Sequence, residues 1–164
     1  MSEAPPPDDA SARIAGLTLD EHTVVRRSAD IEHERAIAIF DILEENLFRP
    51  QSGIKGPFHL HLSIEDNRLV LDIQNSDRQP LDRIVLPLAG FRKIIRDYFL
   101  VCESYFQAIR KSSPSQIEAI DMGRRGLHNE GSDLLRERLA DKVEIDHNTA
   151  RRLFTLICVL HLRG

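Results

Sequence analysis

The strictest alternation of apolar and polar positions runs through Phe58, Leu60, Leu62 and Ile64, with His59, His61, Ser63 and Glu65 between them. A period of two puts one set of side chains on each face of a strand. Asp66 and Asn67 suit a tight turn, and Leu69, Leu71 and Ile73 then resume the period. The pattern predicts an antiparallel hairpin with one buried face. Asp77 to Pro80 reads as a loop, and Ile84, Val85 and Leu86 as a third strand. Upstream, Ile14, Leu17 and Leu19 mark a short strand within Arg13 to Asp20.

Elsewhere the period lengthens to that of a helix. Ile31, Ala36, Ile39, Phe40, Leu43 and Leu47 predict an amphipathic helix with those residues inward, capped by Ser28 or Asp30. Pro50, Gly53, Gly56 and Pro57 break the chain after it. A second helix is expected from about Leu88 to Lys111, with Phe91, Ile94, Ile95, Tyr98, Cys102, Phe106 and Ile109 inward. Ser113, Pro114 and Gln116 form a capping box with proline at the first helical position, and start a third helix reaching about Ala140. Asp146 or Asn148 caps a fourth, in which Ala150, Leu153, Phe154, Ile157, Cys158 and His161 recur. A one-faced meander needs helices to cover it. The expected fold is therefore α+β, a small antiparallel β-meander packed against about four helices.

Composition narrows the class. The 164 residues suit a single domain over 13–164, preceded by a polar, Pro- and Asp-rich tail at 1–12 that is expected to be disordered. A net charge of −4 argues against a dedicated nucleic-acid binder, which usually carries a basic excess. No run of about 18 apolar residues points to a membrane span, and the start lacks the basic and apolar regions of a signal peptide. Cys102 and Cys158 fall in apolar helical stretches and form no CxxC pair, so both read as buried free thiols. Free thiols fit a reducing compartment, and the expected location is cytoplasmic.

One irregularity suggests chemistry. On the third helix Ile117, Ile120, Leu127, Leu135 and Leu139 share one side. Arg124 and His128 fall in the middle of that apolar side, with Asp121 at its edge and Gly131 on the same stripe. A buried guanidinium needs a partner, since an unpaired buried charge costs several kcal/mol. Asp121, three residues before Arg124, can supply one, and His128 can then bond a carbonyl within a closed polar cluster. The alternative is a site in which these residues, with Arg125, Asn129 and Glu130, face a cleft and meet a carboxylate, a phosphate or a partner. As acid–base machinery the set is incomplete, because no nucleophile stands beside it.

Two secondary candidates follow. His59 and His61 project from one strand face, and Asp72 on the pairing strand could add a third metal ligand, although a solvated polar face explains the pair as well. Arg151 and Arg152 add to Arg124, Arg125, Arg136 and Arg138 in an Arg-rich C-terminal third. Arginine forks suit phosphates and carboxylates, whereas a salt-bridged surface is the plainer account. Neither phosphate-cradling glycine motif is present, and no cofactor or resident metal is expected.

DMGRRGLHNEG at Asp121 to Gly131, LLRERL at Leu134 to Leu139 and TARRLFTLICVLH at Thr149 to His161 resemble an uncharacterised, UPF-type protein family of alphaproteobacteria carrying GRRGLHNEG. PFHLHLSI and PLDRIVLPL resemble the same family. The resemblance covers nearly everything after residue 12. It implies a bacterial cytosolic protein and brings no catalytic roles. Arg and His on one helix also invite comparison with the HEPN ribonucleases, but Arg124 and His128 are one residue too close and a β-meander departs from that all-helical fold. The expectation is a non-enzymatic binding or regulatory module whose partner is a protein, a small anionic ligand, or a second copy in a homodimer through helical surfaces. The competing expectation is a small hydrolase or nuclease using Asp121, Arg124 and His128. Side chains converging in an open cleft with His59, His61 or Arg151 would favour the enzyme, and sealed pairs the module.

Overall fold

The computed structural model describes residues 10–20 and 29–161. A four-stranded sheet runs in the order β1 (Ile14–Leu19), β3 (Phe58–Glu65), β4 (Arg68–Gln74) and β5 (Pro80–Pro87). The expected β3–β4 hairpin forms in the expected register, with Leu62 opposite Leu71 and Ile64 opposite Leu69. Asp66 and Asn67 make its two-residue turn at φ 50° and 62°. Asn and Asp tolerate this left-handed region, and turns of that hand match the strands' own twist.

The α+β class stands, and one detail of the sheet differs from a pure meander. β1 pairs with β3 in parallel, so the sheet is mixed. A parallel neighbour needs a long crossover, and α1 (Ala29–Glu44) with the short strand β2 (Phe48–Pro50) supplies it. β2 pairs antiparallel with β6 (Val143–Ile145) in a separate two-stranded ribbon. Three-residue strands show no readable period, and neither was expected.

The buried sheet face carries Leu60, Leu62, Leu69, Leu71 and Ile73, all at most 1% exposed. Against it lies α4 (His147–His161), whose Leu153, Phe154, Leu156, Ile157, Cys158, Val159 and Leu160 are buried. α4 is therefore the central helix, with α1 on one side and α3 (Pro114–Leu139) on the other, while α2 (Arg92–Lys111) packs on α3. Two of the three caps read from sequence hold. Ser113 Oγ accepts from the Gln116 amide while Gln116 Oε1 accepts from the Ser113 amide. Asp146 Oδ1 accepts from the Thr149 amide at 2.8 Å, starting α4.

Other expectations change. α1 buries Ala38 and Ile42, whereas Ala36 is exposed and Phe40 is 64% exposed. Apolar residues lie on nearly every side of this helix, so spacing alone could not choose the buried one. Ser28 lies outside the described residues, and Asp30 falls inside the helix. Ile109, expected inward, is 52% exposed near the end of α2. Ala10–Ala12, within the expected tail, forms a 3-10 turn with Ala12 buried, and the Ser11 carbonyl accepts from the Gly56 amide at 2.8 Å. Residues 1–9 lie outside the described residues.

Among the residues that lock this arrangement, Asn46 went unnoticed in the sequence. It is 6% exposed, its Oδ1 accepts from the Ile14 amide, and its Nδ2 donates to the Ile14 and Ile42 carbonyls. One side chain thus ties the end of α1 to the start of β1. No described helix is long and apolar enough to cross a membrane.

Candidate functional site

α1 and α3 flank α4 without covering all of it, and a cleft of about 680 Å³ opens over its first two turns. Asn148, Arg151, Arg152 and Thr155 of α4 form the floor. These positions are separated by three, one and three residues, so they share one helical stripe. Arg124, Arg125, His128 and Asn129 form the α3 wall, and Glu34, Ile37, Ala38 and Asp41 the α1 wall. Tyr98 reaches in from α2. A volume of this size is that of a small-molecule site.

α3 stays helical through Gly123, Gly126 and Gly131, so the face read from sequence survives. Arg124 donates from Nε and Nη2 to Asp121 Oδ1, at 3.1 and 2.7 Å. Its Nη1 lies 4.0 Å from Glu34 Oε1 across the cleft, and its guanidinium sits 4.9 Å from the Tyr105 ring centroid. Arg125 reaches the other oxygen of Asp121 at 2.9 Å. The hydrogen bond from Arg124 holds the Asp121 carboxyl below its usual range, with the Arg125 charge adding to the effect against partial desolvation. The expected Asp121–Arg124 pairing is thus present, and so is the cleft.

His128 is 8% exposed, with its ring 5.3 Å from those of Tyr98 and Phe154. Its Nε2 lies 2.8 Å from Thr155 Oγ1. The Ser132 hydroxyl donates to the His128 carbonyl at 2.7 Å, leaving its oxygen to accept from Nδ1 at 3.4 Å. A neutral ring with its proton on Nδ1 fits those partners. Burial pushes the imidazole down to about 4, helped by the positive charges of Arg151 and Arg124 and by His147. Gly131 makes this packing feasible: a Cβ there would come within 2.1 Å of the Phe154 ring. The close approach expected at Gly131 is that of Phe154.

The remaining candidates separate. Glu130 is exposed and lies outside the cleft. Arg152 lines the cleft but also donates to the Glu45 carbonyl at 3.1 Å, capping the end of α1. Arg151 and Asn129 line the cleft, and among the described residues neither side chain has a hydrogen-bond or ion-pair partner. His59 and His61 stand elsewhere, on the outer sheet face, bridged by Thr18 Oγ1 at 3.2 and 2.6 Å. Asp72, opposite His61, is held by Arg83 Nε at 2.9 Å. Burial, Arg78 and His61 together lower the His59 pKa. Among the described residues no three His, Cys, Asp or Glu side chains are grouped to hold a metal ion. Cys102 and Cys158 are buried free thiols, and burial pushes both up, Cys102 to about 11. Neither is a thiolate near neutral pH.

Glu34 and Asp41 are the charged cleft residues that sequence reading missed. They follow no motif, and only the docking of α1 on α4 brings them opposite the arginines.

Residues 11–163 match the model of an uncharacterised protein family, UPF0262. The chain is 62% identical over 151 residues to a UPF0262 protein of Rhodospirillum rubrum, covering 92% of this chain and 93% of the relative. It is 59% identical over 152 residues to one of Paramagnetospirillum magneticum, covering 93% and 97%. With one of Azorhizobium caulinodans it shares 58% over 166 residues, spanning the full length of both. No solved structure matches the chain.

Proposed function

The chain belongs to the uncharacterised protein family UPF0262, and from that premise we propose that it is a non-enzymatic binding module whose cleft takes a small anionic ligand. The observation that carries this reading is Arg151, an exposed cation lining the cleft with no partner among the described residues. Three more arginines line the same cleft against two carboxylates, Glu34 and Asp41. Arginine's planar fork suits a carboxylate or phosphate, and Asn129 and Asn148 beside it add neutral donors. The free thiols Cys102 and Cys158 support a cytoplasmic setting.

The hydrolase or nuclease reading draws on the same cleft, which Arg124, His128 and Arg151 line and Asp121 does not. Its acid–base group is poorly suited. An imidazole at about 4 is a weak base near neutral pH, and both His128 nitrogens are engaged by hydroxyls. Asp121 is committed to two arginines. The nearest hydroxyl, Thr155, lies in mid-helix, where the Arg151 carbonyl 3.2 Å away competes with His128 for its proton.

Calorimetric titration of the full chain with inorganic phosphate and with butyrate tests the module. Saturable binding of either anion, weakened at least tenfold by Arg151→Ala in a variant with an unchanged circular dichroism spectrum, is the expected result. Binding that ignores Arg151, or none at all, overturns the reading.

A further inference from the structure

Resting on the anion-site reading, we infer that the ligand is a zwitterion of amino-acid type, its carboxylate on Arg151 and its ammonium on Asp41. The cleft is bipolar. Cations come from α3 and α4, and carboxylates come from α1. Glu34 and Asp41 lie seven residues apart, two turns and roughly 10 Å along the helix. Glu34 faces Arg124 at 4.0 Å and closes one end of the cleft. Asp41 has no side-chain partner among the described residues, and it forms no ion pair with Arg151 although both line the same cleft.

Two unpaired charges of opposite sign, in one cleft and on different helices, ask for a ligand that carries both. An anion alone would bring negative charge toward Asp41, and a cation alone would meet four arginines. Each is penalised by the group a zwitterion satisfies. Ile37 and Ala38, on the α1 wall between Glu34 and Asp41, offer an apolar strip for the ligand's carbon skeleton. Asn129 and Asn148 supply further donors for its carboxylate. The volume exceeds that of the smallest amino acids, so the site has room for a substantial side chain.

Three probes with one skeleton separate the contributions: γ-aminobutyrate carries both charges, butyrate only the anion and butylamine only the cation. They are titrated into the full chain at pH 7 beside inorganic phosphate and the α-amino acids. At least one zwitterion should bind ten times more tightly than butyrate, with butylamine weakest. Asp41→Asn, a nearly isosteric change, should abolish that advantage, because the ammonium loses its partner and the penalty on butyrate is relieved. A zwitterion no better than butyrate, or an advantage that survives Asp41→Asn, overturns the inference. If phosphate and butyrate still bind in an Arg151-dependent way, the anion site stands without it; if no probe binds, both readings fall.

Discussion

His128 has to remain uncharged where it sits. Its ring is enclosed by Tyr98 and Phe154, and the nearest formal charges, on Arg151 and Arg124, are positive. The unfolded chain carries this imidazole near 6.5, whereas folding pushes it down to about 4. Between those two values the unfolded state binds a proton that the folded state refuses, so lowering the pH favours unfolding. The contribution is therefore complete above about pH 6.5 and is lost progressively on descending to about 4, to a limit of about 3 kcal/mol. Urea midpoints from pH 7.5 to 4.5 should fall more steeply for wild type than for His128→Gln. Parallel pH profiles would show that His128 is not the group responsible. At pH 7 itself, His128→Ala should cost about 1–3 kcal/mol, because Thr155 and Ser132 lose a partner. An unchanged midpoint would count against a buried anchor.

Elements in this chain differ in how openly they advertise themselves. The β3–β4 hairpin was legible because three signals agree: period two, two turn formers, and period two again. α3 was legible from its capping box, and its glycines did not break it because helix–helix packing outweighs a propensity cost of about 1 kcal/mol each. α1 was visible as a helix but not as a face, since Ala36, Ile37, Ala38, Ile39 and Phe40 put apolar groups all round it. What orients it is tertiary: Asn46 at its end, Arg13 donating to the Glu44 carbonyl and Arg152 to that of Glu45. Asn46→Ala should thus lower stability by about 1–3 kcal/mol through stranded polar groups at Ile14 and Ile42. A denaturation midpoint equal to wild type would remove Asn46 from that role. The α3–α4 contact is equally specific. Gly131→Ala would drive a methyl into Phe154, which is fully buried and cannot swing away. Overpacking of this kind costs about 1–3 kcal/mol, so the helix-propensity gain of alanine should be outweighed in a thermal melt.

At the scale of the whole molecule, the candidate site was half legible, for a reason rooted in chain connectivity. Arg124, Arg125, His128 and Asn129 share one helix, so their common face follows from helical geometry alone. Arg151 stood out as an arginine but not as a neighbour of His128, because that pairing depends on how α3 and α4 cross. The α1 wall, about ninety residues upstream of Arg124, is joined to the rest only by the folded core. A ligand held across these helices therefore bridges distant segments and should stabilise the fold as a unit. Because such a ligand binds the folded chain alone, saturation at one hundred times its Kd adds about 2.7 kcal/mol. For a domain of this size that corresponds to a rise in Tm of roughly 5–10 °C. Phosphate or butyrate at that concentration should give such a rise in wild type and little in Arg151→Ala, with sodium chloride at matched ionic strength as the control. A rise that the chloride control reproduces would be a general salt effect and would leave the cleft without an anion to hold.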